Sequence, residues 1–175
     1  MYNNLDKSKK RDIFLMKREE ILEQLWKEQD TAFELMTEYD SLPHHYGEDI
    51  LYQAEAYVVH EIGKNPNTTT TELASILNKT TSACSQIVKK LVAKGLVEQT
   101  RNADNKRIYN LNLTKDGQRV YKDHIEFNKM CQSITFDLLK EFTEEELMIH
   151  TKVQRIINKS YEGDVARSKA HYGEE

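Results

Sequence analysis

Two hydrophobic rhythms alternate along the chain. Over residues 8–40 apolar side chains recur at helical spacing (Ile13, Phe14, Met16, Ile21, Leu22, Leu25, Trp26, Ala32, Phe33, Leu35, Met36, Tyr39), which predicts one long helix. They cover more than one stripe, and a helix apolar on two faces has more to bury than a small neighbouring core can cover. A second subunit is therefore expected on one face. Pro43 and Gly47 then punctuate a loop over 41–47. A short helix over 53–63 follows, with Ala54, Tyr57, Val58 and Ile62 inward, stopped by Gly63 and Asn65-Pro66.

Thr69-Thr70-Thr71-Glu72 has the spacing of a capping box, in which the Thr69 hydroxyl accepts from the third helical amide while Glu72 reaches back. That opens a helix to about Leu77, packed through Leu73, Ala74 and Leu77. Asn78-Lys79 makes the turn, and Thr80 caps a further helix that runs to Lys94 and ends on Gly95. After Gly95 the period changes from about 3.6 to 2. Residues 96–100 and 108–113 read as strands joined by the polar loop 101–107, a two-stranded wing. Thr114 caps a second long helix over 115–141, with an apolar line of Val120, His124, Phe127, Cys131, Ile134, Leu138 and Phe142. Thr143 to Glu146 forms another capping box, opening a last helix with Leu147, Ile149, Val153, Ile156 and Ile157. Beyond Tyr161 apolar content falls, and a mobile tail is expected over 161–175.

These elements predict a mainly α protein with a small two-stranded β-wing. A winged helix-turn-helix module over 48–114 is flanked by an N-terminal dimerisation helix and loop (1–47) and by C-terminal dimerisation helices (115–160). Composition supports this: 31% charged residues and only 2 prolines favour long, solvated helices. No apolar run approaches the ~18 residues of a membrane span, and the first residues lack the apolar core of a secretory signal, so a cytoplasmic protein without membrane contact is expected.

Charge narrows the functional classes. A net charge of −4 argues against a generally basic nucleic-acid binder, so any DNA-binding surface has to be local. From Lys79 to Arg107 the chain has seven basic residues (Lys79, Lys89, Lys90, Lys94, Arg101, Lys106, Arg107) against Glu98 and Asp104, a segment of +5. In a helix-turn-helix the first helix braces the second in the major groove. The helix capped by Thr80 has the side chains for that role, since Ala83, Cys84, Ile87, Val88 and Leu91 can face back, while Thr81, Ser82, Ser85, Gln86 and Lys89 can face out. Thr81, Ser82, Ser85 and Gln86 are candidates for base or phosphate contact, and Gln86 could pair with adenine through two hydrogen bonds. Lys79 and Lys89 suit phosphates. On the wing, Arg101, Lys106 and Arg107 could enter the electronegative minor groove, with Asp104 orienting a neighbouring cation.

Thr69 to Ala74, Thr80 to Leu91, Lys94-Gly95-Leu96-Val97, Asp104-Asn105-Lys106-Arg107 and Leu113-Thr114-Lys115-Asp116-Gly117 together resemble the MarR family of bacterial transcription regulators. The likeness extends over about residues 10–160. The resemblance implies a homodimer held by the first and last helices, two winged modules on a pseudo-palindromic operator, and repression usually relieved by a ligand or an oxidant. Two positions depart from the family pattern. Lys106 stands where the wing commonly has Arg, with Arg107 beside it, and Tyr52 stands where the helix from 53 usually has a Thr or Ser cap.

The resemblance also implies an effector pocket between the dimerising helices and the module, where Tyr39, His44, His45, Tyr46, Tyr57 and His60 cluster in sequence. Rings that line a pocket and rings that fill a core have the same signature. His44, His45, His60 and His124 lack a zinc-site spacing and read as surface or core histidines. Cys84 and Cys131 occupy apolar positions and read as buried hydrophobes rather than a redox pair. No nucleophile–base pair or phosphate loop suggests an enzyme, and no cofactor is implied. The competing reading is a helical interaction protein that uses its winged helix to bind protein.

Overall fold

The structure, a computed structural model, describes residues 16–103 and 105–172. Ile13, Phe14 and Asp104, and with them the start of the expected first helix, lie outside the described residues. In chain order the elements are α1 (Arg18–Ser41), β1 (Pro43–Tyr46), β2 (Asp49–Tyr52), α2 (Gln53–Lys64), β3 (Thr68–Thr69), α3 (Thr70–Ile76), α4 (Thr81–Ala93), β4 (Val97–Arg101), β5 (Tyr109–Leu113), α5 (Lys115–Leu138), a 3-10 turn (Leu139–Glu141) and α6 (Glu144–Tyr172). They fall into two compact units that divide after Ile125. No helix among the described residues is long and apolar enough to cross a membrane.

The first unit holds the core. Ala56, Val58, Val59 and Ile62 of α2, Leu73 and Ala74 of α3, and Cys84, Val88 and Leu91 of α4 are buried, together with Leu96, Val97, Leu111 and Val120. Their spacing gives each short helix one apolar face, and the faces meet over the sheet. β4 and β5 form an antiparallel hairpin with Val97 opposite Leu113 and Arg101 opposite Tyr109. The wing is thus two-stranded, and β3 extends its sheet by pairing Thr68 with Leu111 and Thr69 with Asn110.

A second hairpin replaces the expected loop near residue 43, with β1 and β2 antiparallel and Pro43 opposite Tyr52. Strand alternation buries His44 and Tyr46 and leaves His45 exposed. The predicted long N-terminal helix begins, among the described residues, only at Arg18: Met16 and Lys17 are not helical, and the Lys17 amide donates to Glu20 Oε2 at 2.8 Å, an N-terminal stop.

The Thr-x-x-Gly at the start of α5 has a specific cause. The Thr114 hydroxyl donates to the Gly95 carbonyl at 2.6 Å and accepts from the Gly117 amide at 3.1 Å, while the Thr114 amide donates to the Leu96 carbonyl at 3.1 Å. A Cβ on Gly117 would land on the Leu96 carbonyl oxygen, so only glycine lets α5 start this close to the turn that ends α4. Gly95 itself has φ +72°, the left-handed residue that stops the helix.

The second unit comprises the C-terminal part of α5, the 3-10 turn and α6. α6 continues to Tyr172, correcting the expected tail from 161: Glu162, Ala166, Arg167, Lys169 and Ala170 are strong helix formers, and Asp164 pairs with Arg167 one turn on. Phe142, Ile149, Val153 and Ile156 are exposed, as are Leu22, Trp26, Phe33 and Met36 on α1, which has no buried residue.

Two substitutions separate these contributions to stability. Leu91→Ala should cost about 2–5 kcal/mol through the cavity it leaves. Gly117→Ala should cost at least ~1–3 kcal/mol through steric conflict although it adds only a methyl. Urea unfolding measures both, and a Gly117→Ala chain as stable as the wild type would show that α5 is not seated on Leu96.

Candidate nucleic-acid interface

Helices α3 and α4 are set by their caps. Thr69 Oγ1 accepts from the Glu72 amide at 3.3 Å, and Glu72 Oε2 accepts from the Thr69 amide at 2.7 Å. The Thr69 amide, and after it the Thr69 hydroxyl donating to the same oxygen at 2.9 Å, hold the Glu72 carboxyl below its usual range. In the turn Asn78 takes φ 49°, a conformation asparagine tolerates, and the Lys79 amide donates to the Ala74 carbonyl at 2.9 Å. Thr80 Oγ1 then accepts from the Ala83 amide at 3.2 Å, and α4 begins.

The face of α4 divides as its sequence implies. Cys84, Val88 and Leu91 are buried, and Ala83, Ser85 and Ile87 are half-buried. Thr81, Ser82, Gln86 and Lys89 are exposed along the other side, with Lys79 and Thr80 just before them. Ser85 therefore sits at the edge of the outer row. Burial pushes the Cys84 thiol up while the Lys79 charge pulls it the other way, which disfavours the reactive thiolate at this core position. Cys131 is half-buried and unpaired with Cys84.

Asparagines order the wing loop. The Asn102 amide donates to the Ile108 carbonyl at 3.0 Å, Asn102 Oδ1 accepts from the Asn105 amide at 3.0 Å, and Asn105 Oδ1 accepts from the Arg107 amide at 3.0 Å. Sequence reasoning missed both, although an asparagine that bonds a backbone amide two or three residues on is a common loop device. Lys106 and Arg107 are exposed on this loop. Arg101 lies on β4 with its guanidinium 5.8 Å from the Tyr109 ring centroid, so the strand partner holds its side chain. Among the described residues no ion pair engages Lys79, Lys89, Lys90, Lys106 or Arg107. Lys94 differs: its Nζ lies 2.7 Å from Glu55 Oε2, which takes it out of the free basic patch.

The expected pocket residues are partly brought together. The Tyr39 and His44 rings lie 4.4 Å apart, and His44 Nε2 is 3.2 Å from the Tyr39 carbonyl. His124 of α5, outside the predicted set, is the centre of the cluster. Its Nδ1 is 3.0 Å from the Tyr46 hydroxyl, and its ring is 5.5 Å from that of His60 and 6.4 Å from that of Tyr57. The Tyr121 ring, also unforeseen, lies 5.6 Å from that of His60. His45 points away, because it alternates with two buried neighbours on β1. Tyr57, expected inward, is 42% exposed at the rim. Tyr46 and His124 are almost fully buried, so these two rings fill space rather than surround it, and among the described residues His60 Nδ1 is buried without a hydrogen-bond partner. Among the described residues no three His, Cys, Asp or Glu side chains are grouped to hold a metal.

Two capped helices across a tight turn, followed by a β-hairpin on the same core, define a winged helix-turn-helix protein. The MarR family model matches residues 49–108. Over 101 residues the chain is 29% identical to the HTH-type transcriptional regulator BilQ of Clostridium symbiosum, an alignment covering 57% of this chain and 68% of that one. Its fold is similar to that of Streptococcus pneumoniae FabT, solved in complex with DNA (TM-score 0.62, 23% identity, covering 84% of this chain and 99% of that one). It is also similar to that of Lactococcus lactis ZitR, a zinc-responsive MarR family member (TM-score 0.70, 16% identity, 81% and 99%). The family match is confined to residues 49–108, and over 101 residues the chain is similar to a transcriptional regulator; over the rest of its length the likeness is one of fold.

His124 makes stability depend on pH. Burial, and then the neighbouring His60 and His44, push it down to about 4, so the folded state holds the ring neutral. The unfolded chain takes up that proton near pH 6.5, so the contribution is complete above that value and is lost as pH falls toward about 4. Melting temperature should already decline from pH 6.5 to about 5, above most carboxylate titration, and His124→Phe should flatten the decline. Equal slopes in the two proteins would assign the pH dependence elsewhere.

Proposed function

We propose that the chain is a homodimeric DNA-binding repressor of a pseudo-palindromic operator. In this reading α4 lies in the major groove and the loop 101–107 lies at the minor groove. The observation that carries it is the division of α4: one side is fixed in the core, and the other offers Thr81, Ser82, Gln86 and Lys89 to solvent beside cations with no ion-pair partner among the described residues. In an acidic protein that is where phosphate attraction can concentrate. FabT, solved with DNA, supports the reading through its shared fold.

Thr81, Ser82, Ser85 and Gln86 contact bases or phosphates, while Lys79, Thr80 and Lys89 position the helix on the backbone. Lys106 and Arg107 supply the wing's cations, and Arg101 stiffens its strand. Homodimerisation is supported by the exposed stripes Leu22, Trp26, Phe33, Met36 and Phe142, Ile149, Val153, Ile156, which water would otherwise cover. Release by a small molecule is part of the proposal, with its seat at the less buried edge of the ring cluster, where His60 lies beside Tyr57 and Tyr121, rather than at the filled Tyr46–His124 centre. The Nδ1 of His60, which has no hydrogen-bond partner among the described residues, supports it as an atom able to bond a polar ligand group.

Selection of duplexes from a random pool, followed by salt titration, tests this reading. The recovered half-sites should lie about one helical turn, 10–10.5 base pairs, apart. Log affinity should fall with log salt at about −0.9 per phosphate contact. No binding to any duplex at ~50 mM salt would leave the protein-interaction reading in its place. Replacing Lys106 and Arg107 by Ala should weaken binding without moving the melting temperature. Gln86→Ala should alter the ranking of operator variants, and a uniform loss across all sequences would make Gln86 a backbone contact.

A further inference from the structure

We infer that Lys94, the last cation of α4, is a positioning residue for DNA reading: it ties the end of α4 to the β1–β2 hairpin and the start of α2 and does not touch DNA. The inference rests on the proposed role of α4 and goes beyond it. Lys94 is the C-terminal cap residue of α4, its amide donating to the Lys90 carbonyl, and Gly95 turns the chain immediately after it. Its ammonium donates to Glu55 Oε2 at 2.7 Å and to the Ile50 carbonyl at 3.0 Å. The same Glu55 oxygen accepts from the Tyr52 amide at 3.1 Å, closing the first turn of α2 where a Thr or Ser cap is lacking.

One carboxylate oxygen thus joins β2, the beginning of α2 and the end of α4. Glu55 is only 6% exposed, and a carboxylate so buried needs a cation beside it. The hairpin is itself anchored, because Arg119 of α5 reaches Asp49 at 2.7 Å and the Tyr46 hydroxyl meets His124. The tether therefore ends on a fixed point rather than a free loop.

Contacts to base edges tolerate only about 0.5 Å of misplacement, whereas attraction to phosphates is spread over many sites. Loosening the end of α4 should accordingly reduce discrimination more than general affinity. A lysine on a phosphate would behave in the opposite way, since its loss weakens all duplexes and lowers the salt slope.

The test uses the full chain, the selected operator and an unrelated duplex, with Lys94→Met, Lys94→Arg and Glu55→Gln, each checked for folding by circular dichroism. Lys94→Met and Glu55→Gln should each lower the operator-to-unrelated affinity ratio about tenfold, with the salt slope unchanged, while Lys94→Arg keeps most of the ratio. Glu55→Gln is decisive, because it removes the charge that holds Lys94 without removing the lysine. If Lys94 serves a phosphate, that variant should bind both duplexes as well as the wild type or more tightly, and this result would overturn the inference. A salt slope lowered by about one in Lys94→Met would do the same. If Lys94→Met does not fold, Glu55→Gln and Lys94→Arg still decide. A wild type that binds no duplex would remove the role of α4 and this inference together, whereas a discriminating wild type matched by all three variants would remove this inference alone.

Discussion

The bare Cα of Gly117 against the Leu96 carbonyl is the constraint on which the geometry of the winged module depends. Leu96 starts the wing and follows the turn that ends α4, and Thr114 ends the wing and begins α5. Three hydrogen bonds through Thr114 close this junction on itself. One side chain at residue 117 would push α5 off it, moving the wing and the end of α4 with respect to each other. The family pattern of Leu-Thr-x-x-Gly is in this chain a packing requirement.

From that junction the rest of the module follows. α4 is held at its start by Thr80 and the Asn78 turn, along its length by Cys84, Val88 and Leu91, and at its end by Gly95 and Lys94. A helix fixed in three ways has little freedom left, so its exposed side is presented in one orientation. Pre-organisation of this kind lowers the ordering cost of binding. It also explains how an acidic protein could serve as a DNA reader: the placement of a few cations matters more than their total.

Much of this is legible in the sequence because it is encoded locally. Thr69 to Glu72, Thr80 and Gly95 state helix boundaries within a few residues of where they act, and the change of period after Gly95 marks the wing. What escapes a reading of the sequence depends on partners distant along the chain. The β1–β2 hairpin is too short for a strand rhythm to stand out, and its inward pair, His44 and Tyr46, is recognised only once His124 is beside Tyr46. Lys94 resembles the other lysines in sequence because Glu55 lies 39 positions away. The helix over 161–172 resembles a tail when apolar content is the criterion, whereas intrinsic propensity and charge spacing can carry a helix with little to bury.

Amide hydrogen exchange, with and without the selected operator, tests the central claim most directly, because it reports where the duplex sits without altering the protein. The account predicts added protection over residues 79–89, where the first amides of α4 lack helical partners, and over the wing loop 101–107. Protection confined to other segments, with 79–89 exchanging as fast as in the free protein, would contradict it.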